Sequence, residues 1–259
     1  MKTQTLLLSL LFSLHVLPAQ AVQLVDAPRN NPALAARVQL AVDHFDILQA
    51  YPDRSFQGAR PFTRYELADA LQRSISYLAR AHQVSAQVDV QSAAMFQAYL
   101  KPSGDIPRRH WAAPAVQQSM AFGLLSGGMD LRFHGGLKVS RYQLAQSAFQ
   151  LLSWLQIRPV QLSAGASPRD LPAGHWASEA VQELVQAGIL ELDARGRFAG
   201  ERPATRYELA ETLVKTLEQI EIVARRQRLQ PKAVVPLPGP LLRPRFDGRK
   251  PPFAYQGQP

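Results

Sequence analysis

Cysteine is absent from all 259 residues, which excludes a disulfide framework and any thiolate metal site. Long apolar runs are nearly as scarce. The one clear run, from Leu6 to Leu17, is shorter than the roughly 20 residues a helix needs to cross a bilayer. Catalytic patterns are missing too: there is no nucleophile elbow, no HExxH helix and no phosphate loop. His110 and His175 have neither a carboxylate nor a second histidine nearby in the sequence. These absences predict a protein that is not an enzyme, with no catalytic residues, no metal and no cofactor.

The basic excess is local. The formal charge is +9, yet from Arg225 to the end eight Lys and Arg residues face only Asp247, which accounts for +7 of it. Lys2 carries one more, so Val22 to Ala224 is close to neutral at +1. A nucleic-acid role would need that charge on the folded part, and none is expected. Residues 1–21 read as a signal peptide, with Lys2, the apolar run, and Ala19-Gln20-Ala21 as a cleavage site leaving Val22 first, the other reading being an uncleaved anchor. This reading predicts a secreted protein.

What the chain has in place of catalytic motifs is an internal echo. Phe56, Phe133 and Phe198 are each followed two residues later by Gly58, Gly135 or Gly200, and eight residues later by Arg64, Arg141 or Arg206. The arginines lie in FTRYELA, VSRYQLA and ATRYELA. Recurrence at this scale marks units that stack to bury a shared core. The predicted fold is all-α, mainly helical, with copies at 28–82, 105–158 and 168–228. An insert at 83–104 holds a short extra helix around 93–100, and a proline-rich, basic, disordered tail covers 229–259.

The third copy is the plainest. A helix is predicted from Ser178 to a left-handed stop at Gly188, then a polar turn, then a long helix after Thr205 with Leu209, Leu213, Leu217 and Ile220 on one face. The second copy follows, with Pro114 opening its first helix, Gly123 closing it, and Leu144, Ala148, Leu152 and Leu155 on the long helix. In the first copy the His-Trp pair is missing and Asp46 takes the glycine's place. Asp53 reads as a turn residue.

Thr63, Ser140 and Thr205 begin capping boxes with Glu66, Gln143 and Glu208. Arginine straight after the cap opposes the helix dipole. Two partners would explain it: an anion bound at the helix end by free amides and the guanidinium, or an acidic or carbonyl group of a neighbouring copy. Tyr65, Tyr142 and Tyr207 either fill the seam between copies or stack on a sugar. Trp111 and Trp176 are expected to anchor their helices in the core, with a pocket wall as the other role.

The order Asp170, GHWA, AV, GIL, Phe198-x-Gly200 and ATRYELA resembles the S-layer homology (SLH) repeat, with its aspartate, His-Trp-Ala start, Gly-Ile turn, YPDG-F loop and TRAE helix start. The second copy carries HWA and SRYQ, and the first carries YPD, Phe56 and TRYE. TRYE in place of TRAE resembles a variant of double-membraned bacteria, which implies a periplasmic location facing peptidoglycan. The resemblance implies three tandem repeats in a pseudo-three-fold spindle around a central three-helix bundle, grooved between neighbours. It implies a peptidoglycan-linked, pyruvylated secondary cell wall polysaccharide as ligand, its carboxylate held by Arg64, Arg141 and Arg206. Thr63, Ser140 and Thr205 set the helix ends, with the three tyrosines and two tryptophans beside them. The chain departs from the pattern at the missing His-Trp pair, at YPDR and at Gln143, so one or two working grooves are expected. The implied role is a wall anchor or tether, its basic tail reaching anionic lipid, glycan or an envelope protein. The alternative is an interaction or assembly factor on the same fold with inactive grooves.

Overall fold

The computed structural model describes residues 22–84, 104–107, 109–128, 130, 132–161 and 167–231. The predicted signal peptide, nearly all of the insert with its helix at 93–100, and the tail beyond Pro231 lie outside the described residues. The protein is mainly helical: α1 (Pro32–Gln39), α2 (Arg64–His82), α3 (Ala113–Ala121), α4 (Arg141–Trp154), α5 (Ser178–Gln186) and α6 (Arg206–Ala224). They alternate short and long.

Each short helix ends where the sequence placed a stop. Gly123 and Gly188 both take a φ of 69°, and the following Leu124 and Ile189 amides reach back to Ser119 and Leu184 carbonyls at 2.9 Å. That is the closure a left-handed residue permits. In the first pair Asp46 fills the same place with a φ of 51°. There α1 runs on through a π-turn, Leu40–His44, and the Ile47 amide reaches Ala41, one residue further back than in the other pairs. The π-turn absorbs an extra residue, which is why the first copy matches the others poorly over this stretch.

The long helices begin as predicted. Thr63, Ser140 and Thr205 each accept the N3 amide, while Glu66, Gln143 and Glu208 reach back to the cap amide. Leu209, Leu213, Leu217 and Ile220 on α6 have no exposed surface, and Leu144, Ala148 and Leu152 on α4, with Leu155 capping its end, are buried. Leu67, Leu71 and Leu78 do the same on α2. Two hydroxyls enter this core without going unpaired: Ser74 donates to the Ala70 carbonyl at 2.8 Å and Thr216 to the Thr212 carbonyl at 2.7 Å, the local bond that buried Ser and Thr make inside a helix.

The pairs are joined crosswise. Helix α2 packs on α3, α4 on α5, and α6 on α1, while α6 also meets α2 and α4. The short segments ahead of the long helices touch in a closed cycle of antiparallel bridges, Thr63 with Lys138, Ser140 with Pro203, and Thr205 with Pro61. Every pair thus completes the core of the next one.

Candidate functional site

Three seams lie where the start of a long helix meets the neighbouring pair, and each is built around an aspartate. The Asp170 carboxylate accepts the Phe198 and Ala199 amides, both at 2.7 Å. Asp105 holds Phe133 and His134 at 2.9 and 2.7 Å, and Asp26 holds Phe56 and Gln57 at 2.6 and 2.7 Å. The second residue of each pair is left-handed, with φ values of 52°, 53° and 53° at Ala199, His134 and Gln57. A side chain rarely accepts that conformation, and the carboxylate supplies the compensation. Burial pushes the Asp170 carboxyl up, but the two amides outweigh it and hold it below its ordinary value.

The glycines exist for the tyrosines. A Cβ on Gly135 would lie 2.1 Å from the Tyr65 ring, one on Gly200 2.2 Å from Tyr142, and one on Gly58 1.9 Å from Tyr207. Each ring therefore lies flat on the backbone of the next pair. Tyr65 lies 4.2 Å from His110 and 5.8 Å from Phe133 between centroids. Tyr142 repeats this with His175 at 4.2 Å and Phe198 at 5.6 Å. Tyr207 has no such histidine; it stacks on Phe56 at 5.8 Å and donates its hydroxyl to the Asp26 carbonyl at 2.9 Å. Burial, with the nearby Asp170 or Asp26 charge, raises the Tyr142 and Tyr207 hydroxyls above their usual value. Packing in the seam is what these rings do in the structure.

The arginines cross the same seams. Arg64 Nε donates to the Phe133 carbonyl at 2.9 Å and Nη2 to Ser126 at 2.6 Å. Arg141 donates to the Phe198 and Glu191 carbonyls, and Arg206 to Phe56 and Gln49, both at 3.0 Å. Each guanidinium also rides over the Phe it serves, 4.6, 4.3 and 4.8 Å from the centroids of Phe133, Phe198 and Phe56, a cation–π arrangement. Burial lowers all three arginines from their usual value.

All three arginines meet carbonyls of the neighbouring copy, and Arg141 and Arg206 meet an acidic group of it as well. The helix-end amides are engaged as well. Arg64 and Tyr65 amides donate to Leu137 and Gly135 carbonyls at 3.0 Å, Arg141 and Tyr142 to Arg202 and Gly200, and Arg206 and Tyr207 to Arg60 and Gly58. The cap hydroxyl takes the N3 amide. An anion at a seam would meet side chains and not bare backbone. Thr63, Ser140 and Thr205 sit behind the guanidiniums as caps.

The tryptophans correct an expectation. Trp111 is 40% exposed and Trp176 60%, so neither anchors the core. Trp111 is 6.2 Å from Tyr65 and Trp176 6.2 Å from Tyr142 between centroids, which places an uncovered indole on the rim of two seams. What enters the core beside them is the alanine that follows, Ala112 and Ala177, each without exposed surface. His110 and His175 cap the turn, each ring accepting an amide two residues on at 3.2 Å. Burial holds the His110 ring below its ordinary value. Asp53 is a turn residue, accepting the Ser55 amide at 2.9 Å.

Sequence reasoning named Asp170 only as part of the SLH pattern and passed over Asp26, Asp105 and the second role of two glutamates. Asp105 and Asp170 each precede their Phe by 28 residues, a second register that would have exposed the clamp; Asp26 stands two residues off it. Glu66 and Glu208 were read only as caps, yet they also meet arginines from the neighbouring pair, Arg206 Nη1 at 3.5 Å and Arg141 Nε at 3.1 Å. Tyr51, with its ring 5.2 Å from the Arg206 guanidinium, helps close the third seam, which lacks a tryptophan. Among the described residues no cluster of three His, Asp or Glu side chains could hold a metal ion. Nor is any described helix long and apolar enough to cross a membrane.

The family model for the S-layer homology domain matches residues 169–210, which span the Asp170 clamp, the His175-Trp176 pair and the start of α6. Over 182 residues, 68% of the chain, it is 25% identical to cell surface glycoprotein 1 of Acetivibrio thermocellus. It is 42% identical over 62 residues to outer membrane protein SlpA of Thermus thermophilus, and 34% identical over 73 residues to SlpA of Deinococcus radiodurans. These stretches are 24% and 28% of the chain. They cover only 7%, 7% and 6% of the three relatives.

Proposed function

We propose, from the S-layer homology domain that the chain carries, that it is a non-catalytic cell-envelope protein that holds an acidic wall polymer at the seams between its helix pairs. The observation that carries this reading is the exposed indole beside an arginine-bearing seam, at Trp111 with Arg64 and at Trp176 with Arg141. An exposed aromatic face offers a sugar ring an apolar platform, and a half-buried guanidinium offers an anionic substituent a charge-assisted bond. A glycan bearing carboxylates, such as one with pyruvate ketals, has both features. The relatives named for a cell surface and an outer membrane fit an envelope setting, and the sequence of residues 1–21 fits export to the periplasm.

In this reading the three helix pairs are three SLH repeats closed into a spindle. The cycle of α2 on α3, α4 on α5 and α6 on α1 supports it, since each repeat then leans on the next. Two seams with an exposed tryptophan could bind one polymer together, which raises avidity without a tight single site. The basic tail would be a second contact, to anionic lipid or an envelope protein, making the chain a tether.

The test is co-sedimentation of the full chain, lacking residues 1–21, with wall sacculi before and after acid removal of the attached polymer. Pelleting that requires the polymer supports the reading. Failure to pellet with either preparation refutes it, and would favour a scaffold that recognises a protein.

A further inference from the structure

The long helices all start at the cycle of bridges, so their C-terminal ends share the opposite pole of the molecule. Contacts there tie the ends together. Tyr77 and His82 of α2 reach Glu221 of α6 at 2.6 and 2.7 Å, and Gln156 Nε2, just past α4, donates to the Gln230 carbonyl beyond α6 at 3.1 Å. With 19 residues each, α2 and α6 set the two poles about 28 Å apart. Arginines gather at this far pole. Arg80 lies in the last turn of α2, Arg158 follows α4, and Arg225, Arg226 and Arg228 follow α6, all exposed. A helix C-terminus attracts a cation, but the attraction fades within a turn, and Arg158 and Arg228 stand beyond that reach. The carboxylates nearby already have partners. Glu221 serves Tyr77 and His82, with Arg225 acting on it, Glu218 holds Arg37, and Glu183 accepts from Gln161. Arg80, Arg158, Arg226 and Arg228 form no ion pair among the described residues. Two apolar side chains sit beside them. The Val160 amide donates to Gln219 Oε1 at 3.2 Å, and Gln219 shares a face of α6 with Ile222 three residues on. Val160 is 46% exposed and Ile222 39%.

We infer that this far pole is a docking surface for an anionic phospholipid bilayer. Exposed arginines are drawn to the negative lipid surface, and apolar side chains among them gain by entering the boundary between headgroups and acyl chains. A soluble polyanion offers the first interaction and not the second. The residues that follow the pole, 232–259, add Lys232, Arg243, Arg245, Arg249 and Lys250 against Asp247, charge of the same sign. The inference goes beyond the tether proposed above, which rested on the tail alone, by giving the folded end its own contact and lipid as the partner. Wall binding at the seams supplies only the partner at the other pole, so the lipid contact stands or falls by itself.

The measurement is sedimentation of the full chain, lacking residues 1–21, with vesicles of phosphatidylglycerol and phosphatidylethanolamine, and with vesicles of phosphatidylcholine alone. Binding should require the anionic lipid and weaken as salt is added. Arg158→Gln with Arg226→Gln and Arg228→Gln should weaken it about tenfold or more, since each arginine at a membrane surface is worth about fivefold. All three side chains are exposed, so the fold should survive, and pelleting with polymer-bearing sacculi should match the parent. Lys232→Gln, Arg243→Gln, Arg245→Gln, Arg249→Gln and Lys250→Gln together neutralise the tail and should leave selective binding to the anionic vesicles in place. Val160→Ser with Ile222→Ser should weaken vesicle binding several-fold and leave binding to soluble dextran sulfate unchanged. A parent that treats the two vesicles alike overturns the inference, and so does an arginine variant that binds like the parent, or binding abolished by the tail substitutions alone. A serine pair that binds vesicles like the parent overturns lipid as the partner and leaves a general polyanion site. Each of these results leaves wall binding, read on sacculi, as it was.

Discussion

At Gly135 a single methyl group is enough to open a seam. Its Cβ would fall 2.1 Å from the Tyr65 ring, while one at Gly136 meets nothing within 4 Å. Gly135→Ala should therefore cost about 1–3 kcal/mol in urea unfolding, as overpacking does, and Gly136→Ala next to nothing; equal effects would contradict the packing described. The arginines should separate in the same way. Removing Arg206, buried against two carbonyls and paired with Glu66, leaves those carbonyls without their donor and a half-buried carboxylate with one partner fewer, a loss of about 1–3 kcal/mol. Arg64→Ala strands no glutamate, since Gln143 stands in that register, and should lower the urea midpoint less. A triple alanine variant would confuse binding with folding, because the guanidiniums also hold the seams shut. Much of this scale was legible: Phe, Gly, Arg and Tyr were visible as a register. What each touches was not, since Tyr65 and Gly135 are 70 residues apart and only the assembled seam brings them together.

At the scale of elements, helix starts were the most readable feature. Thr63, Ser140 and Thr205 announce themselves through local chemistry, and local chemistry is what one sequence displays. The first short helix was the least readable, because its π-turn adds a residue and breaks the register. The tryptophans were misread for a related reason: an apolar residue at a helix start suggests burial, whereas here Ala112 and Ala177 take the core position. The aspartate clamp yields the element-scale prediction. Asp170→Ala removes both acceptors from a turn that holds Ala199 left-handed, so the thermal midpoint should fall by several degrees, the usual consequence of about 1–2 kcal/mol in a protein of this size. Asp193→Ala, on an exposed turn, is the control, and a larger drop there would contradict the clamp.

The whole molecule is a cycle of shared cores, and its response to acid follows from the seams. Burial pushes the Glu66 and Glu208 carboxyls up, but hydrogen bonds from Arg60 or Arg202 and from the cap amide hold both below the ordinary value. Glu221 is likewise depressed through Tyr77 and His82. A depressed carboxyl contributes stability that is complete above its unfolded value, about 4.3 for glutamate, and is lost as pH falls through the lower folded value. Burial raises Asp69 and offsets part of this. The melting temperature should therefore hold down to about pH 5 and drop progressively below about 4. A protein more stable at pH 3 than at pH 6 would contradict the ion-paired seams. The same cycle gives the molecule its function only if a seam takes a ligand, and Trp111 can report that directly. Trp154 is buried, so in a Trp176→Phe variant the exposed Trp111 dominates any response to ligand. Titrating that variant with polymer released from the wall should shift and quench the emission saturably as the indole is covered. Emission that stays flat while the protein still pellets with polymer-bearing sacculi would contradict the claim that the seam bordered by Trp111 binds the wall.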